Sequence, residues 1–220
     1  MDTKITLLQE DGKVYIPAGG LVFFCDAPVA TDGYQARALW LLESAVITGA
    51  PPEEASRYLA TAQRHCDSAH RQLVRVREAI ATYAAAEPEE KLTLLNQIIG
   101  DAEMAISAIH LATKMAASLP GLYRVREAPV PAVIARRKDD VAALRHAFEH
   151  IDERARGRVN KMPDSSALGI FQFYRLIEHG EISDGTHALN IHADATELLI
   201  AIRDYIEIVW GKLIVRPEAP

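Results

Sequence analysis

Leu144-Arg145-His146-Ala147-Phe148-Glu149-His150-Ile151-Asp152-Glu153-Arg154 is the stretch on which the reading of this chain turns. With Val141 in front, its apolar residues Leu144, Phe148 and Ile151 recur at i, i+3, i+7 and i+10, the spacing of an amphipathic helix. At about 100° per residue, Arg145 and Asp152 fall on one shoulder of that apolar stripe, and His146, Glu149, His150 and Glu153 fall opposite it. The pattern predicts a helix from about Ala132 to Gly157 that buries one side and presents Arg, His and carboxylate groups on the other.

Working outward, the same period continues upstream. Ala36, Leu39, Trp40, Leu42, Ala45, Val46 and Ile47 predict a first helix, stopped by Gly49-Ala50-Pro51-Pro52. Glu53-Glu54 opens a long helix to about Ala86, with Tyr58, Leu59, Ala62, Ala69, Leu73, Val76 and Ile80 inward. Glu89 to Leu119 is the next, ended by Pro120-Gly121. Beyond Gly157, Ile170–Ile177 and Thr186–Ile191 read as short strands around Gly180 and Asp184-Gly185. A last helix spans about Asp194 to Leu213, with Leu198, Leu199, Ile202, Tyr205, Ile206, Val209 and Trp210 as its core face. At the other end of the chain, residues 3–16 read as a β-hairpin turning at Asp11-Gly12, and Leu21–Cys25 as a third strand or buried extended piece. The expected fold is mainly α: a bundle of four to five helices with short β-hairpins at the N-terminus and before the last helix. One domain is expected over 1–220, made of an extended appendage (1–32), the helical bundle (33–157), a strand–turn insertion (158–192) and the final helix (193–213).

The chain has 220 residues, 49% of them apolar and 25% charged, the balance of a soluble globular protein. No run of 18 apolar residues predicts a membrane span, and Met1-Asp2-Thr3-Lys4 lacks the order of a secretory signal. Cys25 and Cys66 are far apart and have no metal-knuckle spacing, so two reduced cysteines in a cytoplasmic protein are expected. The net charge of −6 argues against a general nucleic-acid coat. Ten of the 24 basic residues but only six of the 30 acidic ones lie between Arg124 and Lys161, a local excess of four positive charges around the opening helix. That excess suits an anionic partner. Arg57, Arg64, Arg71 and Arg75 form a separate stripe, read as a solvated face in preference to a phosphate contact.

The chemistry of the opening stretch has three readings. In the first, Arg145 grips a phosphodiester with a permanently charged guanidinium, and His150 takes or gives a proton near neutral pH. Such a pair can drive metal-free RNA cleavage through the RNA's own 2′-hydroxyl. In the second, His146-Ala147-Phe148-Glu149-His150 fits H-x-x-E-H, and His146, His150 and Glu153 share a face that could hold a metal. A zinc protease of that pattern is much larger than this chain. In the third, Glu149 and Asp152 pair with Arg145, and the face is only a solvated or partner-binding surface.

Arg145 through His150 resembles the signature of the HEPN superfamily: an Arg, a polar residue, then a His four to six residues after the Arg. The longer match, Leu144 to Arg154, also resembles uncharacterised bacterial HEPN-like proteins with Glu-His-x-Asp-Glu-Arg after the Arg. The resemblance implies a helical bundle, a homodimer formed through the motif helix, and in many members a metal-independent endoribonuclease with toxin or defence roles and no cofactor. It implies that Arg145 orients phosphate, His150 is the acid/base and His146 is the polar second position. Glu149, Asp152 and Glu153 are supporting candidates, and Arg137 and Arg154 candidates for further phosphate binding. RNA and a protein partner or antitoxin are the expected partners, and no membrane. The alternative is a non-catalytic dimeric interaction module.

The remaining histidines carry less. His65 and His70 are expected to be exposed, His110 to be a satisfied core residue, and His192 to help cap the last helix. Cys66 is expected on a polar helix face. No phosphate-binding loop and no nucleophile elbow is present in the sequence.

Overall fold

The computed structural model describes residues 8–10, 13–18, 21–26 and 53–214. The helix expected over 34–48 lies outside these residues. Three N-terminal strands, β1 (Leu8–Glu10), β2 (Lys13–Ala18) and β3 (Leu21–Asp26), form an antiparallel sheet in the order β1-β2-β3. Leu8 pairs with Tyr15 and Glu10 with Lys13, and Val14 pairs with Cys25 in β3; the expected turn at Asp11-Gly12 lies outside the described residues.

Six helices follow. They are α1 (Glu53–Ala85), α2 (Pro88–Tyr123), α3 (Ala132–Glu149), α4 (Ile151–Ala155), α5 (Phe173–His179) and α6 (Asp194–Ile214). Between α4 and α5 lie a tiny hairpin, β4 (Arg158–Val159) with β5 (Met162–Pro163), and a 3-10 helix over Ser165–Phe171. A second hairpin, β6 (Glu181–Asp184) with β7 (His187–Asn190), leads into α6. The architecture is mainly α with short hairpins.

The long helices carry the core. α1 and α2 are joined by Ala86 and Glu87 alone, so they pack along one another. Leu59, Ala62, Cys66, Ala69, Leu73 and Val76 of α1 meet Ile98, Ala105, Ile106 and Ile109 of α2 in one buried cluster with Val141, Leu144 and Phe148 of α3. Every residue expected on the core face of α6 is buried. Tyr205 is buried among them, and its hydroxyl donates to the Ala128 carbonyl at 2.8 Å, tying α6 to the segment before α3. Arg77 of α1 donates to the Ile191 carbonyl at 2.6 Å and the Thr196 hydroxyl at 2.9 Å, which fastens the start of α6.

Several boundaries differ from the sequence reading. α2 runs through Pro120 to Tyr123 and stops where Arg124 turns left-handed (φ 52°). A proline near a helix end removes one backbone donor but does not forbid the last turn. Here Leu119 is buried before it, and Tyr123 packs edge-on to Tyr58 at 6.0 Å after it. Cys66 lies in the core, not on a polar face, because it continues the Ala62, Ala69, Leu73 stripe. Burial pushes its thiol far up. Asn190 orders the turn that leads into α6: its side-chain oxygen accepts from the backbone N–H groups of His192 and Ala193, at 2.9 Å each.

The segment expected as a strand over 170–177 is helical. Asp164 accepts from the Ser166 N–H at 2.7 Å and starts the 3-10 turn. Ile170 and Leu176 are buried, and Gly180 at φ 66° closes α5. A short apolar run does not by itself separate strand from buried helix. The partner of β7 is therefore β6. A Cβ at Gly169 would sit 3.0 Å from the Gly185 backbone N, so the 3-10 helix approaches the β6–β7 turn as closely as glycine allows.

The helix expected over 132–157 breaks at His150 (φ −112°, ψ 35°). After the break Ile151 is 38% exposed instead of lying in the core, and Arg154 turns inward. Its guanidinium meets Asp184 of β6 at 3.0 Å, with the side chains 5% and 9% exposed. Removing one partner of a buried ion pair strands the other charge. Asp184→Ala is therefore expected to cost about 3–5 kcal/mol. Arg154→Met added to it should recover most of that loss in urea denaturation. A double variant no more stable than the single one would show that the pair is not the source of the loss.

Candidate functional site

The site is the C-terminal end of α3 and its continuation. Val141, Leu144, Ala147 and Phe148 bury one face. Arg145 is half-buried, and His146, Glu149 and His150 are exposed. The His150 N–H still bonds to the His146 carbonyl at 3.1 Å, so the last turn is closed although His150 has left the helical region. The two imidazoles stand side by side, with centroids 4.3 Å apart and planes tilted by 60°. The Arg145 guanidinium is bound to Glu149 one turn on, both groups facing solvent.

The residues after His150 act as anchors. Asp152 binds Arg156 rather than Arg145. The Glu153 carboxylate accepts the Lys161 backbone N–H at 3.3 Å and holds the tip of the β4–β5 hairpin. Arg154 is occupied by Asp184, whose carboxyl is pushed up by burial and pulled back by Arg154. Arg154 Nε and Asp184 Oδ1 are both buried without a hydrogen-bond partner. The other phosphate-binding candidate, Arg137, is bound between Asp140 and Asp194.

Two neighbours of the motif were not legible as such. His110 of α2 is half-buried. Burial first, then the charges of Arg145 and Lys114, hold its pKa down, with Glu149 acting the other way. His187 of β7 places Nδ1 3.0 Å from Asp140 Oδ1. Asp140 and His187 are 47 positions apart, and only the packing of the β6–β7 hairpin on α3 brings them together.

Among the described residues no three His, Cys, Asp or Glu side chains converge as a metal site, so His146, His150 and Glu153 do not assemble the donor set weighed for them. Among the same residues no helix is long and apolar enough to cross a membrane. A small crevice lies to one side of the motif, lined by Ile99, Ala102, Phe148, Ile170, Phe173 and Leu176 among others. Its lining is mostly apolar, also takes in Gln172, Glu181 and Ser183, and includes no basic side chain to cradle phosphate. No protein-family model, no curated protein and no solved structure matches this chain.

The histidines set an acid limit on stability. Burial lowers the pKa of His65, His110 and His192 below the ordinary value, with a nearby Arg adding to the shift in each. The unfolded chain binds these protons near pH 6.5. The stabilising contribution is therefore complete above that pH and is lost as pH falls through the lower folded values. The urea midpoint is expected to drop between pH 7.5 and pH 5, and His110→Gln to flatten part of the fall. An identical slope in that variant would remove His110 from the account.

Proposed function

We propose that this protein is a HEPN-like, metal-independent endoribonuclease, a cytoplasmic homodimer with toxin or defence character. The observation that carries the reading is that one half-buried guanidinium, Arg145, and two exposed imidazoles, His146 and His150, share the broken end of α3. RNA cleavage needs little more. One group takes the 2′-hydroxyl proton, O2′ attacks phosphorus, the bond from phosphorus to O5′ breaks, and a proton is returned to O5′. The products are a 2′,3′-cyclic phosphate and a 5′-hydroxyl, and no metal takes part.

In this reading Arg145 orients the phosphate and stabilises the charge that develops on it. His150 transfers a proton, and His146 lies against it. The bond from Arg145 to Glu149 is an exposed i, i+4 pair, worth about 0.5 kcal/mol or less. A phosphate, which accepts two parallel hydrogen bonds from a guanidinium, can displace it. Two copies meeting at this face would line a single groove with both sets of groups. The same Arg145–Glu149 pair favours the second reading, a non-catalytic dimeric module in which the polar face binds a partner protein such as an antitoxin.

Purified protein in chelator, offered a mixed RNA pool, is expected to leave 2′,3′-cyclic phosphate ends. Arg145→Ala and His150→Ala proteins of equal folded stability should each lose about 10²-fold or more of the rate. Intact RNA with all three proteins would move the assignment to the interaction module.

A further inference from the structure

His187 stands in an arrangement that tethering alone does not require. Its Nδ1 lies 3.0 Å from Asp140 Oδ1. Asp140 is itself held by Arg137 through its other oxygen at 3.3 Å, and Arg137 is bound in turn to Asp194 at the start of α6. Asp194 also accepts the Asn190 N–H at 3.0 Å, so both ends of the chain of contacts are fixed to β7 or its continuation. An ionised carboxylate can only accept, so Nδ1 is the donor and Nε2 is left as the ring's proton acceptor. The His187 side chain is 39% exposed, so it is open to solvent. A carboxylate that fixes the tautomer and orientation of a half-exposed imidazole is the arrangement of a general base.

The strand that carries this imidazole packs on α3, the helix that ends in the motif. Asp140, Ala143 and His146 follow at i, i+3 and i+6, each about 60° further round the helix. The small side chain of Ala143 lies between the two polar ones. Asp140 and His146 are about 9 Å apart along the axis, and helical side chains lean toward the N-terminus, which brings the His146 ring back toward Asp140. Asp184, opposite His187 in the β6–β7 register, holds Arg154 at 3.0 Å, four residues past His150, so the hairpin that carries His187 is fastened to the end of the motif.

Resting on the endoribonuclease reading, we propose that His187, oriented by Asp140, is a second proton-transfer residue for the RNA backbone bound at the end of α3. Transesterification moves two protons, one off O2′ and one onto O5′. His150 handles one and His187 the other, and Asp140 and Arg137 are positioning residues.

His187→Asn separates this role from a tether. Its amide can still donate to Asp140 where Nδ1–H did, but it cannot carry a proton between substrate atoms. Cleavage in chelator would be followed from pH 5 to 9 for the parent, His187→Asn, Asp140→Asn and His150→Ala, with urea denaturation of each. The expected result is that His187→Asn unfolds like the parent, keeps its KM, loses about 10²-fold in kcat and loses one limb of the pH profile. Asp140→Asn, the second variant, should lose about tenfold or more in kcat with the same loss of pH dependence. Parental kcat and pH profile in His187→Asn, beside an inactive His150→Ala, would overturn this proposal and leave the nuclease reading standing. Intact RNA with the parent itself would overturn the nuclease reading, and this proposal with it.

Discussion

The buried contact between Arg154 and Asp184 is the constraint from which the C-terminal half of the structure follows. A guanidinium taken out of water costs several kcal/mol unless a carboxylate comes with it. Arg154 lies five positions past the end of α3, so Asp184 must be delivered to that point from thirty residues downstream. The β6–β7 hairpin does this by packing on α3. Gly169 and Gly185 let the 3-10 helix and the hairpin turn approach each other. With Asp184 in place, His187 opposite it falls beside Asp140.

The same contact explains the shape of the polar site. If α3 ran on to Gly157, Ile151 would continue the stripe of Leu144 and Phe148. Instead the chain leaves the helix at His150, Arg154 points inward, and Ile151 moves toward solvent. Glu153 then fastens the β4–β5 tip, and Asp152 takes Arg156 rather than Arg145. Of the acidic residues in the motif only Glu149 reaches Arg145, through a bond weak enough for an anion to replace. Two imidazoles are left in contact at the break. The acidic and basic residues that look like one catalytic cluster in sequence thus divide into three anchors and a small exposed group.

Local patterning made the framework legible. The stripes of α1, α3 up to Phe148, and α6 are periodic because each helix buries one face against the others, and the alternating residues of β1 and β2 pair as strands. Cys66 could have been placed by the same periodicity, since it continues the stripe of Ala62, Ala69 and Leu73. The segment over 170–177 could not, because its apolar run suits strand and helix alike, and the choice rests on the Asp164 cap and the burial of Ile170 and Leu176.

The sequence by itself determined the mainly helical class, the apolar faces of the long helices and the presence of Arg145, His146 and His150 on an outward face. Those properties depend on residues within a few turns of each other, where spacing along the chain is distance in space. Only the tertiary structure decided where the motif helix ends, that Arg154 is an internal anchor, and that His187 meets Asp140. These depend on contacts between residues 30 and 47 positions apart, and their cause is the cost of leaving a buried charge without its partner.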